Sequence, residues 1–358
     1  MAESRAPSAD HMTAPDRLLV ADLRAVAPAW TLPAWAAERL RREAPAGWRV
    51  YVVQAPTVSD GDGSDRPSAE ALDAVAVAEA YVGFGLPRAL LLAAPGLRWV
   101  HSTSAGVASA LHPELGERDI RLTNSAGVHG PPMAEYVLGG VLHFLRGFDV
   151  AVRRQAAATW DRDPFVGAGH SARELGECRA LVVGAGGIGG AVARALAAHG
   201  VACTGIRRRP ELGAPEGFVR VAGPDALDAE LPAADLLILC APLTAETRAL
   251  MTAERLDRLP AGAVLVNVGR GALVDEAALA ERIRGGTLRG AVLDVFQAEP
   301  LPPDSPLWGL ERTLVTPHVS AVSPRRFWER ELALILDNWA RHDSGAPLRN
   351  LVDARAGY

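Results

Sequence analysis

Short apolar runs along this chain alternate with longer stretches in which apolar residues return every third or fourth position. The first run, Arg17-Leu18-Leu19-Val20-Ala21, predicts a strand. Pro33 then opens an amphipathic stretch through Arg42, where its missing N–H costs nothing because the first amides of a helix have no intrahelical partner. Further strands are predicted at Trp48–Val53, Arg98–His101 and Ile120–Thr123, with a surface loop rich in Asp, Gly and Ser from Thr57 to Pro67. From Pro132 to about Thr159 the pattern is helical, with Met133, Tyr136, Val137, Val141, Leu142 and Leu145 on one spacing. This long helix is expected to bridge two domains.

A second series opens at Ala180-Leu181-Val182-Val183, which runs straight into a glycine-rich segment. A helix over Ala191–His199 should stop at Gly200, and Val201–Ile206, Asp235–Cys240, Ala263–Val268 and Leu288–Asp294 predict strands. These runs are nearly continuous in apolar residues rather than alternating, as in a sheet covered on both faces. A last helix, about Ser323–Arg341, has the spacing to pack back on the first unit. Strands alternating with helices give an α/β chain with parallel sheets, and 358 residues exceed what one core usually supports. The expected layout is a loose tail over 1–16, a first domain of 17–128 with 320–358, and a second domain of 129–319.

A formal net charge of −5 leaves no broad cationic surface for nucleic acid. No stretch approaches the ~20 apolar residues of a membrane span, and Met1–Asp16 lacks the apolar core of a signal peptide. A cytoplasmic protein without nucleic-acid or membrane partners is therefore expected. Cys178, Cys203 and Cys240 lie in or beside apolar segments and suit buried free thiols of a reducing compartment. With no cysteine pair at metal-ligand spacing and no His-Glu-x-x-His, no metal site is expected. All 37 basic residues are arginine. That removes lysine Schiff-base chemistry and the lysine of a phosphate-binding P-loop; a nucleotide here must be held by backbone amides and arginine.

The glycine segment is Gly184-Ala185-Gly186-Gly187-Ile188-Gly189. In a strand–turn–helix setting the first glycine allows a tight turn, the second lets backbone approach a pyrophosphate, and the third lets helix and strand pack closely. The turn, Gly187 and Ile188 included, then offers the free N–H groups of a helix N-terminus to the anion. A site for NAD expects Asp or Glu roughly 20 residues on, to accept from the ribose 2′-hydroxyl. Arg207-Arg208-Arg209 stands there instead. Arginine cannot accept that bond but pairs with a 2′-phosphate through two N–H groups. NADP(H) is thus the preferred cofactor, with Arg207 and Arg208 as readers, and NAD(H) remains possible.

Three polar groups follow in fixed order: Arg270 in Asn267-Val268-Gly269-Arg270-Gly271, Glu299 in Asp294-Val295-Phe296-Gln297-Ala298-Glu299-Pro300, and His318 in Thr316-Pro317-His318. A cation for a carboxylate, a proton donor and a carboxylate to hold that donor are what reduction of a 2-keto acid requires. A planar guanidinium presents a fork to a carboxylate. Histidine titrates near working pH and serves as acid in one direction and base in the other.

These blocks, with Cys240-Ala241-Pro242-Leu243-Thr244-x-x-Thr247, resemble the D-isomer-specific 2-hydroxyacid dehydrogenases. The likeness extends more thinly to Ser102-Thr103-Ser104-Ala105-Gly106-Val107 and Asn124-Ser125-Ala126-Gly127-Val128. The resemblance implies two Rossmann-like or flavodoxin-like parallel-sheet domains separated by an active-site cleft, and a homodimer. It implies that Arg270 binds the substrate carboxylate and keto oxygen, that His318 donates the proton, and that Glu299 orients the imidazole. It implies further that the backbone of Ser104, Ala105 and Gly106 meets the carboxylate. Pro242, Thr247, Val268, Gly269, Arg270, Asp294 and His318 would border the dinucleotide, Asp294 near the nicotinamide carboxamide. The departure at Arg207 points to NADPH-using members like the glyoxylate/hydroxypyruvate reductases. The expected activity is reduction of a small 2-keto acid to the D-2-hydroxy acid. A dinucleotide-sensing corepressor of the same fold, or a dehydrogenase of another small acid such as phosphite, are the alternatives.

Overall fold

A computed structural model describes residues 17–57, 66–107, 110–167 and 172–353. The expected tail over 1–16 and most of the loop after Thr57 lie outside the described residues. Two compact units divide the chain, Met1–Val128 with Val322–Tyr358, and His129–Ala321.

In the first unit the order is β1 (Arg17–Asp22), α1 (Ala34–Arg42), β2 (Trp48–Val52), α2 (Ala69–Val75), β3 (Ala80–Gly83), α3 (Arg88–Ala93), β4 (Trp99–Ser102), α4 (Pro113–Glu117) and β5 (Arg121–Asn124). The strands form one parallel sheet, β2-β1-β3-β4-β5. Successive side chains of a strand point to opposite faces, and the core divides accordingly. Leu18, Val20, Tyr81 and Val100 pack with Ala71, Val75 and Leu90 of α2 and α3 on one face. Leu19, Ala21, Val82 and Trp99 pack with Leu40 of α1 on the other, together with Phe327, Trp328, Leu332, Ile335 and Trp339 near the end of the chain. Central β3 is missing from the strands that the hydrophobic pattern predicts. It is four residues long and set among alanines, which favour helix as readily as strand.

The second unit runs α5 (Gly130–Leu145), α6 (Phe148–Ala156), α7 (Asp163–Val166), β6 (Arg179–Val183), α8 (Gly187–Ala197), β7 (Ala202–Ile206), β8 (Arg220–Ala222), α9 (Leu227–Glu230), β9 (Leu236–Leu239), α10 (Ala253–Leu256), β10 (Val264–Asn267), α11 (Glu276–Arg284), β11 (Gly290–Leu293) and β12 (Thr313–Val315). Its seven strands are parallel in the order β12-β11-β10-β9-β6-β7-β8. The chain starts in the middle at β6, builds outward to β8, then returns to build the other half from β9. That reversal beside β6 is the topological switch point at which open α/β sheets bind ligands.

Two expectations need correction here. The single helix from Pro132 to Thr159 is two, because Gly147 adopts a left-handed φ of 71° and ends α5. Asp149 in the first turn of α6 is buried and takes both guanidinium nitrogens of Arg289, at 2.9 and 2.6 Å, which ties the break to the strand behind it. Helix α8 begins at Gly187, inside the glycine turn, rather than at Ala191. Its far end behaves as expected: Gly200, at φ 85°, donates to Ala197 O and Val201 to Leu196 O, the paired bonds of a glycine-terminated helix.

The chain closes with α12 (Pro324–Ser344), which supplies the aromatic residues of the first unit's core. Its last turn joins a polar network at the amino ends of β1 and β5. Arg17 pairs with Glu79 and Asp343, and Trp48 Nε1 donates to Asp343 at 2.8 Å. Arg121 donates to His342 Nδ1 at 2.5 Å, while His342 Nε2 faces Glu79 Oε1 at 3.2 Å. A guanidinium has only donors, so Nδ1 must accept and the ring is neutral with its proton on Nε2. Burial, then the facing Arg121, hold the His342 pKa below its ordinary value. The unfolded chain therefore takes up a proton that the folded chain refuses. Stability contributed by the neutral ring is present above about pH 6.5 and is lost as pH falls below it, through the folded value. Urea unfolding at pH 7 and at lower pH should show the midpoint dropping with acidification. His342→Gln, which offers both an acceptor and a donor without titrating, should flatten that slope; an unchanged slope would place the acid sensitivity elsewhere.

Candidate active site

Register in the second sheet puts the candidate residues on one line. Val183 pairs with Ile206 and Leu239, Leu239 with Asn267, Asn267 with Leu293, and Leu293 with Val315. The next residue on each strand is therefore Arg207, Gly184, Cys240, Val268, Asp294 and Thr316. Backbone bonds knit the row: Gly184 donates to Ile206 O, Cys240 to Val183 O, Val268 to Leu239 O, Asp294 to Asn267 O and Thr316 to Leu293 O, at 2.8 to 3.2 Å. Every motif singled out in this half of the chain begins at this carboxyl edge.

At the switch point Gly184 has φ 100°, and a Cβ there would lie 2.6 Å from Ala241 N. A Cβ on Gly189 would lie 2.2 Å from Gly184 O, whereas one on Gly186 would meet nothing within 4 Å. The first and third glycines are thus required by packing. The second leaves bare backbone facing open space at the N-terminus of α8, between exposed Gly186 and Gly187 and half-buried Ile188. A pyrophosphate fits that arrangement of free N–H groups and positive helix end. Half-buried Arg207 follows β7, donates from its backbone to Ala222 O at 3.0 Å and from Nη1 to Gly213 O at 3.2 Å, and exposed Arg208 follows it. Thr247 closes the next turn along: its hydroxyl donates to Pro242 O at 2.7 Å and accepts from Thr244 N at 2.7 Å, leaving Pro242 exposed.

The polar trio occupies the other half of the edge. His318 Nδ1 lies 2.8 Å from Glu299 Oε2, and Glu299 Oε1 accepts from Phe296 N at 2.9 Å. One carboxylate oxygen is thus fixed by backbone while the other holds the ring. Since a carboxylate only accepts, Nδ1 carries hydrogen and Nε2 is left to exchange a proton. Both side chains are about one-third exposed, at 37% and 36%. Arg270 is half-buried on the loop after β10, with Nη1 on Gly269 O at 2.7 Å. Asn267 shapes that loop, donating to Arg270 O at 3.0 Å and accepting from Gly269 N at 3.1 Å. A Cβ on Gly271 would lie 1.9 Å from Phe296 C, so only glycine lets the arginine loop lie against the segment that carries Glu299.

A model of the D-isomer specific 2-hydroxyacid dehydrogenase NAD-binding domain matches residues 138–320. Glyoxylate/hydroxypyruvate reductase A of Salmonella newport (strain SL254) is 35% identical over 281 residues, spanning 76% of this chain and 85% of its own. A D-isomer specific 2-hydroxyacid dehydrogenase of Xanthobacter autotrophicus Py2, solved with NADPH and MES, has a TM-score of 0.76 at 32% identity, covering 96% of this chain and 100% of its own. The NADPH-dependent glyoxylate/hydroxypyruvate reductase of Sinorhizobium meliloti, solved with NADP and sulfate, has a TM-score of 0.73 at 28% identity, covering 96% of this chain and 100% of its own. This chain belongs to the D-isomer specific 2-hydroxyacid dehydrogenase family.

In this member of the family, the edge of the second sheet holds both the glycine turn and the His318–Glu299 pair. The Ser104–Gly106 turn lies in the first unit, at the carboxyl end of β4. Ser125 N donates to Ser104 O at 3.2 Å and Asn124 Nδ2 to Ala105 O at 2.8 Å, while Ser125 Oγ reaches buried Glu331 of α12 at 2.8 Å. Asp294 is fully buried, and its carboxylate accepts from the Thr316 hydroxyl and from Val319 N and Ser320 N. It faces the His318 turn. Asn267 and Thr316 enter the motif blocks only as flanking residues; the structure shows their side chains bonding the Arg270 loop and the Asp294 carboxylate at this sheet edge. Among the described residues no cluster of potential metal ligands occurs and no helix is long and apolar enough to cross a membrane. Burial lifts the thiols of Cys203 to about 11 and Cys240 to about 12, which keeps both protonated, and of the two only Cys240 adjoins the glycine turn.

Gly184→Ala should weaken NADPH binding about tenfold or more, since a left-handed backbone and a backbone clash both oppose the added methyl. Fluorescence titration with NADPH checks this, and an unchanged Kd would mean that the turn does not carry the dinucleotide.

Proposed function

We propose that this enzyme reduces a small 2-keto acid of the glyoxylate or hydroxypyruvate class to the D-2-hydroxy acid, with NADPH preferred over NADH, as a homodimer of the cytoplasm. The observation that carries the reading is the His318–Glu299 pair, 2.8 Å apart and backed by Phe296 N, on the same sheet edge as the glycine turn. Bound nicotinamide supplies the hydride. Arg270 takes the substrate carboxylate and polarises the keto oxygen, and Ser104, Ala105 and Gly106 add backbone N–H groups. His318 Nε2 delivers the proton to that oxygen, and Glu299 stabilises the imidazolium formed in the reverse direction, as acid–histidine pairs do.

The cofactor preference rests on Arg207 and Arg208 standing where a ribose-binding acid would be. NADPH in the Xanthobacter structure and NADP in the Sinorhizobium structure support it. Asp294, Pro242, Thr247, Val268 and Gly269 complete the border of the dinucleotide. Free thiols buried at Cys178 and Cys203 suit a reducing compartment. Exposed Phe148, Val152 and Trp160 on and after α6 suit a second copy of the chain.

The deciding experiment is NADPH and NADH oxidation with a panel of 2-keto acids. Turnover with none of them, alongside tight NADPH binding, would end the reductase reading in favour of a dinucleotide sensor. His318→Ala should lower kcat roughly a hundred- to ten-thousandfold, the range of a positioned acid, with NADPH affinity nearly intact. Unchanged turnover would remove the imidazole from the mechanism. Arg207→Asp should shift the ratio of kcat/KM for NADPH over NADH toward NADH by about tenfold or more; a parent enzyme that uses NADH equally well would sink the preference.

A further inference from the structure

His318 carries a left-handed φ of 53°, a conformation that costs a non-glycine residue energy unless its neighbours impose it. The imposing group is Asp294. Its Oδ1 accepts from the Thr316 hydroxyl at 2.5 Å and from Val319 N at 2.8 Å, its Oδ2 accepts from Ser320 N at 2.9 Å, and its backbone carbonyl accepts from His318 N at 2.9 Å. The turn is therefore clamped on both sides of the imidazole. The chain of bonds continues: the Tyr136 hydroxyl lies 2.6 Å from Thr316 Oγ1. An ionised Asp294 has no hydrogen to give, so Thr316 spends its only hydrogen on Asp294 and Tyr136 must be the donor to Thr316. Burial, and the Asp294 charge, push the Tyr136 phenol up to about 12, so it stays a donor throughout the working range. Tyr136 has a firm seat. One turn along α5, Gly140 lies so close to β11 that a Cβ would come within 2.8 Å of Val292 Cγ1, and β11 is the strand that delivers Asp294.

Granted the reductase reading, on which this rests, we propose that Tyr136 is a positioning residue for His318, acting through the Thr316 hydroxyl and the Asp294 carboxylate. Helix α5 thereby sets the direction in which the catalytic imidazole presents Nε2.

Tyr136→Phe keeps the ring and its packing and deletes only the donor. With the best keto acid of the panel, kcat should fall about three- to tenfold, the loss of one buried hydrogen bond expressed as rate. KM for NADPH should be unchanged and the solvent deuterium isotope effect on kcat should rise, because proton delivery becomes slower. Amide exchange at Val319 and Ser320, read by NMR, should quicken by a similar factor. Thr316→Val should act in the same direction, the double variant should add little to either single one, and Thr316→Ser should restore the parent behaviour. A Tyr136→Phe enzyme with unchanged kcat overturns the proposal. So does a lower kcat with unaltered isotope effect and exchange, which would mark a tyrosine that only supports the fold. If the parent enzyme turns over no keto acid, the reductase reading fails on its own, and exchange at Val319 and Ser320 still decides whether Tyr136 holds the turn.

Discussion

Everything that this protein does with its candidate site depends on the in-register backbone pairing of one parallel sheet. In a parallel βαβ array every strand ends at the same edge, because each crossover helix carries the chain back to the start. Residues separated by more than a hundred positions therefore fall side by side. Gly184 and Thr316 stand at the ends of β6 and β12, four strand spacings apart through β9, β10 and β11, which is roughly 19 Å at ~4.8 Å per strand. A slip in register at β10, β11 or β12 would move Arg270, Glu299 or His318 out of line and would exchange the two helix layers against which that strand's side chains pack. Leu236–Leu239, Val264–Asn267 and Gly290–Leu293 are buried along their whole length, so each face is close-packed against its own layer and such a slip is costly.

That edge carries opposing demands, and magnitudes decide how they are met. A left-handed conformation costs His318 about 1–2 kcal/mol. Hydrogen bonds to a charged acceptor contribute about 1.5–3 kcal/mol each, and Asp294 makes three from its carboxylate. The clamp outweighs the strain with room to spare. It also satisfies a carboxylate that is fully buried and would otherwise be very unfavourable. Glu299 works differently. It stays about one-third exposed, accepts from Phe296 N with one oxygen, and holds the His318 ring with the other. A buried acid fixes the backbone and a wetter one holds the imidazole.

Much of this was legible in the residues alone. Strands buried on both faces announce themselves as unbroken apolar runs, which is why β6, β7, β9, β10 and β11 could be read. Arg270, Glu299 and His318 could be picked out because their neighbours form dense, ordered blocks. What escaped reading depends on partners far away in sequence. The three-residue strands β8 and β12 have too little pattern to register, and β3 is hidden among alanines. The break between α5 and α6 turns on Gly147, one residue inside a helical pattern that continues on both sides. Tyr136 reads as an ordinary apolar position of a helix, and its hydroxyl gains meaning only when β12 places Thr316 beside it, 180 residues later.

The glycine turn and the end of β7 are also linked by packing. Gly205 of β7 has no side chain, and a Cβ there would lie 2.8 Å from the Cβ of Ala185. Its absence lets the glycine turn settle against β7, the strand that runs into Arg207. The glycine turn and Arg207 are thereby held together, while Asp294 and Thr316 fix the His318 turn in the other half of the same sheet. On the proposed reading, exchanging the residue after β7 alters cofactor choice without moving the loops that carry Arg270 and His318. On that reading, the fold separates which dinucleotide is held from what is done with it.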